Sequence, residues 1–200
     1  MITIIDYGAG NLRSVEKAIQ FLGYDAQVTD DLKIIEQAEK LILPGVGNFG
    51  ESMEKLKSHG LDSLLKEIVE KQTPLLGICL GLQMLFDYSE ESDTVGLGIL
   101  KGDIVKIPNM GLKIPQIGWN SLDIKGGKLF GGVDDKSYVY FVHSYYLNSK
   151  DKNIVSATVD YGATLDVAIE SGNIYATQFH PEKSGKIGLS ILKNFAEVKN

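Results

Sequence analysis

Cys79 is the only cysteine in a chain of 200 residues, and its surroundings have the shape a nucleophile needs. It ends the apolar run Pro74-Leu-Leu-Gly-Ile-Cys79 and has Gly77 and Gly81 two residues to either side. A helical pattern follows at once. This G-x-nucleophile-x-G spacing is the cysteine form of the strand-to-helix elbow. So sharp a turn holds its central residue at strained backbone angles, and glycine neighbours let the chain pass close by. A following helix would set its N-terminal dipole beside the sulfur, as a thiolate nucleophile requires. The Leu80 amide would be free to donate to a developing oxyanion. The bland reading is a small buried hydrophobe in a tight crossover. Partners decide between the two.

Three histidines could supply a base. His59, in Lys57-Ser-His-Gly60, reads as a solvated residue at a polar helix end. His143 follows the apolar run Tyr138–Val142 and sits at a strand end. His180 lies in Ala176-Thr-Gln-Phe-His-Pro-Glu182, where a strand runs into a proline. His180 and Glu182 are two residues apart, so an extended chain projects both to one side. Pro181 fixes its own φ and biases His180 towards extended angles. A carboxylate beside an imidazole selects its tautomer and stabilises the imidazolium, which supplies the base and orienter of a Cys–His–Glu triad. The bland reading of the tetrapeptide alone is a charged turn.

The elements that must carry these groups alternate in the first half. Ile2–Asp6 predicts a strand, and Asn11 to Gly23 bounds a helix with Leu12, Val15, Ala18, Ile19 and Leu22 on one face. Lys40–Leu43 and Pro74–Ile78 predict further strands, with helices near 50–58 and 61–71 between them. Strand-helix alternation implies parallel pairing and a doubly wound α/β sheet. From about 95 to 180 the chain turns β-rich. Segments Asp103–Ile107, Lys113–Gly118, Ser121–Ile124, Tyr138–His143, Ile154–Val159, Leu165–Glu170 and Ile174–Phe179 read as antiparallel strands laid against that sheet. A last helix spans about Gly185 to Val198. The expectation is one domain over 1–200.

These motifs resemble those of the class I, or triad, glutamine amidotransferases, where G-x-C-x-G and a later F-H-P-E carry the reaction. Within that family the chain is similar to the glutaminase subunits of imidazole glycerol phosphate synthases. The segments that carry this likeness are Asp6–Leu12, Leu43–Gly50, Ile117–Asn120, Tyr140–Tyr145 and His180–Ser184. The resemblance implies a flavodoxin-like mixed sheet flanked by helices, no cofactor and no metal. It implies that Cys79 attacks the side-chain amide of L-glutamine, with His180 shuttling protons and Glu182 orienting it. Val46, in the Pro44-Gly-Val-Gly47 loop, would join Leu80 in the oxyanion hole; a plain turn is the alternative for that loop. Glutamine would be held by Gly47, Gln83, Glu91 and the His143-Ser144-Tyr145 segment, with Glu90 competing with Glu91 and His143 acting from behind.

The same likeness implies a heterodimer with a (β/α)8-barrel cyclase that receives the ammonia for histidine biosynthesis. Asn11, Trp119, Tyr140 and Lys183 match positions at that interface, although Trp119 reads equally as a core anchor. Where the family often has histidine before Gly-Trp-Asn, this chain has Gln116. That leaves open a related barrel acting on another acceptor. A non-catalytic binding protein on the same fold is the reading from a different class. The net charge of -6 argues against a nucleic-acid partner. Asp6 interrupts the opening apolar run, and no stretch suits a signal or a membrane span. The expected location is the cytoplasm.

Overall fold

The computed structural model describes residues 1–199. Its first part runs β1 (Ile2–Ile5), α1 (Leu12–Phe21), β2 (Ala26–Thr29), α2 (Leu32–Glu36), β3 (Lys40–Gly45), α3 (Phe49–Ser58), α4 (Leu61–Glu70), β4 (Leu75–Cys79) and α5 (Leu80–Met84). β1 lies between β2 and β3, β3 pairs with β4, and all are parallel. Side chains alternate across this sheet. Ile4, Ile42, Leu76 and Ile78 face one core with Val15 and Ile19 of α1, while Ile5, Leu41, Leu43 and Leu75 face another with Met53 of α3 and Leu65 of α4. Burial on both faces is why these strands read as continuous apolar runs. Each such side chain, taken fully out of water, contributes about 1.5–3 kcal/mol.

The second part runs β5 (Tyr88–Ser89), β6 (Thr94–Val95), β7 (Gly102–Lys106), β8 (Gln116–Ile124), β9 (Tyr138–His143), β10 (Tyr145–Ser149), β11 (Val155–Asp160), β12 (Thr164–Ser171), β13 (Ile174–Thr177) and α6 (Gly185–Glu197). The main path is β2-β1-β3-β4-β13-β12-β10-β7-β5-β6, and β11, β8 and β9 branch from β12. α6 covers the α1 face through Ile191, Leu192 and Phe195. Among the described residues no helix is long and apolar enough to cross a membrane.

Several local expectations change. The β-rich half does not lie against the parallel sheet; it continues the same sheet through β13. β13 pairs antiparallel with β12 but parallel with β4, because the chain re-enters the centre of the sheet from the β4 side's own starting edge. The segments 113–118 and 121–124 are one strand, β8, beginning at Gln116; Trp119 and Asn120 stay in register opposite Tyr140 and Val139. β2, α2, β5, β6 and β10 have no counterpart in the sequence reading. Each is short, and β2 is half-buried throughout, so it lacks a clear apolar signal. Gly23 does end α1, at φ +86, with Gly23 N–H donating to the Gln20 carbonyl at 2.9 Å and Tyr24 N–H to that of Ile19 at 3.3 Å. That is a Schellman stop. Asn11 stands at the other end, but its side chain caps nothing.

Candidate active site

β4 delivers Cys79 to the end of the sheet at φ +55 and ψ -108, outside the regions that non-glycine residues ordinarily occupy. The flanking glycines make this turn possible. A Cβ on Gly81 would stand 1.8 Å from the Leu43 carbonyl oxygen, and one on Gly77 would stand 2.8 Å from that of Gly81. α5 starts at Leu80, as expected, and has five residues.

His180 arrives by a different route. β13 runs parallel beside β4, with Thr177 opposite Ile78, and the chain then continues past Cys79. His180 N–H donates to the Tyr140 carbonyl at 3.1 Å, and Ser184 Oγ donates to the His180 carbonyl at 2.7 Å. His180 is extended, as expected, but Pro181–Lys183 coil into a 3₁₀ turn. The turn, not an extended run, brings Glu182 round to the ring. His180 Nδ1 and Glu182 Oε1 are 2.9 Å apart, with the two side chains 2% and 1% exposed. Burial alone pulls the ring's pKa down, but Cys79 and Glu182 outweigh it and raise it to about 9. His180 Nε2 is buried without an aligned partner, and its ionisable neighbour is Cys79.

The two motifs share one cleft of about 290 Å³, lined by Val46, Gly47, Cys79, Leu80, Gln83, Glu91, Pro115, Val142, His143, Ser144, Tyr145 and His180. Every residue named from sequence for glutamine or the oxyanion therefore borders the same space as the thiol and the imidazole. The two neighbouring carboxylates take different positions. Glu91 lines the cleft and accepts from Phe49 N–H at 2.8 Å, whereas Glu90 accepts from Lys106 N–H at 2.9 Å.

His143 borders the cleft but is almost wholly buried. Its Nδ1 is 2.9 Å from the Tyr145 carbonyl, which can only accept, so Nδ1 carries a proton. Burial, with the charge of His180 adding to it, lowers its pKa to about 4. The ring is neutral and accepts at Nε2, 2.7 Å from the Gln116 amide oxygen. Turning that amide so that its nitrogen meets the ring satisfies both groups, since the Gln116 NH2 otherwise has no partner.

Of the four residues expected at a partner surface, Trp119 and Tyr140 meet edge to face with centroids 6.1 Å apart. Trp119 is 55% exposed, which removes the reading as a core anchor. Lys183 is exposed on the 3₁₀ turn beside them, and that turn also contacts α1, the helix that Asn11 precedes. His59 is exposed and stays at its helix end, Nδ1 2.7 Å from the Lys55 carbonyl. Sequence reading missed Gln178, Pro115 and Val142. Gln178 had a usable signal, lying two residues before His180 and so on the same side of an extended chain. Among the described residues no cluster of three His, Cys, Asp or Glu side chains is set to hold a metal.

Residues 3–198 match the family model described as Glutamine amidotransferase class-I. The chain is 52% identical to the imidazole glycerol phosphate synthase subunit HisH of Caldanaerobacter subterraneus subsp. tengcongensis, covering 99% of this chain and 98% of that one. It is 51% identical to the subunit of the same name from Methanothermobacter thermautotrophicus, over 99% and 98%. Among solved structures, one described as a glutamine amidotransferase superposes with a TM-score of 0.76 at 20% identity, over 98% of this chain and 100% of that one. PurLQS from Thermotoga maritima also gives 0.76, at 18% identity over 98% and 96%. At such identities the structural likeness speaks to the fold.

Proposed function

This chain belongs to the class I glutamine amidotransferases, and we propose that it works as the glutaminase subunit of an imidazole glycerol phosphate synthase. One observation carries the chemistry: Cys79 and His180, about a hundred residues apart in sequence, line a single cleft, and the buried Glu182 pairs with the far side of the His180 ring.

In this reading Cys79 has given its proton to His180 Nε2 before the attack, and the thiolate sulfur adds to the carboxamide carbon of L-glutamine. The negative charge that develops on the carbonyl oxygen is met by the amides of Leu80 and Val46. His180, holding its proton through the neutral range, gives it to the departing nitrogen, and ammonia leaves a γ-glutamyl thioester. Water then loses a proton to His180 and attacks the thioester. Glutamate forms and the thiol is restored. Glu182 keeps Nδ1 protonated and stabilises the imidazolium at each stage. Glu91 suits the α-amino end of glutamine, and the Ser144 and Tyr145 backbone the carboxylate end, with Gly47 and Gln83 closing the cleft. His143 is neutral and acts only by holding the Tyr145 carbonyl.

Ammonia released into water would be protonated and lost, which calls for a coupled synthase. The partner in this reading is a (β/α)8-barrel cyclase that meets Asn11, Trp119, Tyr140 and Lys183, in the cytoplasm. Residues 1–200 serve as one amidotransferase domain, a reading supported by the extent of the family match and the continuity of the sheet. The test is glutamate release from the chain alone, with a barrel cyclase, and with cyclase plus its acceptor. Stimulation by the histidine-pathway acceptor, and complete loss in Cys79→Ala, are expected. Release that survives Cys79→Ala would end the reading.

A further inference from the structure

A third side chain touches the sulfur. Gln178, fully buried between β13 and His180, places Nε2 3.7 Å from Cys79 Sγ. Which end of an amide faces a neighbour is ordinarily ambiguous. Here a chain of contacts decides it. The Tyr145 carbonyl can only accept, so Gln83 must turn its nitrogen towards it, at 3.1 Å. The same Gln83 nitrogen lies 2.9 Å from Gln178, which must therefore present its oxygen. That leaves the Gln178 NH2 facing the sulfur.

We infer that Gln178 is a further catalytic residue, donating a hydrogen bond from its side-chain amide to Cys79 Sγ in the glutaminase reaction proposed above. The role follows from the charge on sulfur during the cycle. A thiolate forms as Cys79 gives up its proton, and a thiolate is expelled again when water attacks the γ-glutamyl thioester and the C–S bond breaks. A fixed donor in a buried site stabilises sulfur at both points. Gln83 has a consequent part. Both of its N–H groups are committed, so it can offer substrate only its carbonyl oxygen, which selects a donor on the ligand.

Because Cys79 is the only cysteine, alkylation of the full chain by iodoacetamide reports on this sulfur alone. Gln178→Met removes the donor, fills similar volume and adds no charge. Its alkylation rate at neutral pH should fall roughly 10-fold or more, and kcat for glutamate release by roughly 10²-fold, the scale of one lost donor to a reacting group. KM should move far less. A purely structural Gln178 would act through Gln83 instead, raising KM and leaving alkylation unchanged. An alkylation rate within twofold of the parent overturns the assignment, whatever KM does. If circular dichroism shows Gln178→Met unfolded, Gln178→Leu takes its place with the same two outcomes. Cys79→Ala separates the levels: if it still releases glutamate, the glutaminase reading fails; if it is dead while Gln178→Met matches the parent, only the Gln178 assignment fails.

Discussion

Gly81 lies so near Leu43 that a methyl group on its Cα would stand 1.8 Å from the Leu43 carbonyl oxygen. The elbow is therefore tied to the neighbouring strand by backbone contact, and the strained Cys79 angles are held from outside. Gly81→Ala should destabilise the chain by about 3 kcal/mol or more, because backbone, unlike a side-chain tip, cannot swing away. Urea unfolding checks this. A variant as stable as the parent would mean that the elbow relaxes freely.

The alkaline limb of activity should trace to His180. His180 has a pKa raised to about 9, so its proton is present at neutrality and lost as pH rises through that value. Glutamate release should fall above about pH 9. Glu182→Gln removes one of the two groups that hold the proton, so the alkaline limb should move to lower pH and kcat should drop roughly 10³-fold. A pH–rate profile unchanged in Glu182→Gln would remove the carboxylate from the mechanism.

His143 offers a contrast. Its pKa is lowered to about 4, chiefly by burial, so it adds no charge near neutrality. His143→Ala should retain measurable glutaminase activity, with KM raised as the Tyr145 carbonyl loses a donor. Between pH 6 and 8 its profile should keep the parent's shape. Complete loss of turnover would place His143 among the reacting groups.

Much of this arrangement was legible in the residues. Gly77, Cys79 and Gly81 declare the elbow because packing forbids a larger residue at either glycine, and Phe179-His-Pro-Glu182 declares the base and its orienter. What could not be read was the route between them. Nothing in Ile174–Thr177 says that this strand pairs parallel with β4, since that register depends on β12 returning from the far side of the sheet. The 3₁₀ turn at Pro181–Lys183 was hidden for a related reason: an extended chain and a tight turn can both bring residues two apart together. Trp119 shows the limit for surfaces. Only the strand register, which sets it outward against Tyr140, separates a core anchor from an exposed one.

Trp119 also gives a prediction. Being 55% exposed, it contributes little to the fold, so Trp119→Ala should leave the unfolding midpoint nearly unchanged. Affinity for the barrel cyclase should fall by about 2 kcal/mol, roughly 30-fold, as expected for a tryptophan at the centre of an interface. Unaltered affinity by titration calorimetry would move the docking surface elsewhere.

An electrophilic glutamine mimic, 6-diazo-5-oxonorleucine, probes the nucleophile itself. Incubated with the chain and a barrel cyclase and followed by mass spectrometry, it should leave one adduct on Cys79, absent from Cys79→Ala and formed far more slowly in His180→Ala. An adduct on any other residue, or equal labelling of Cys79 without His180, would contradict the assignment of thiol and imidazole to one reacting pair.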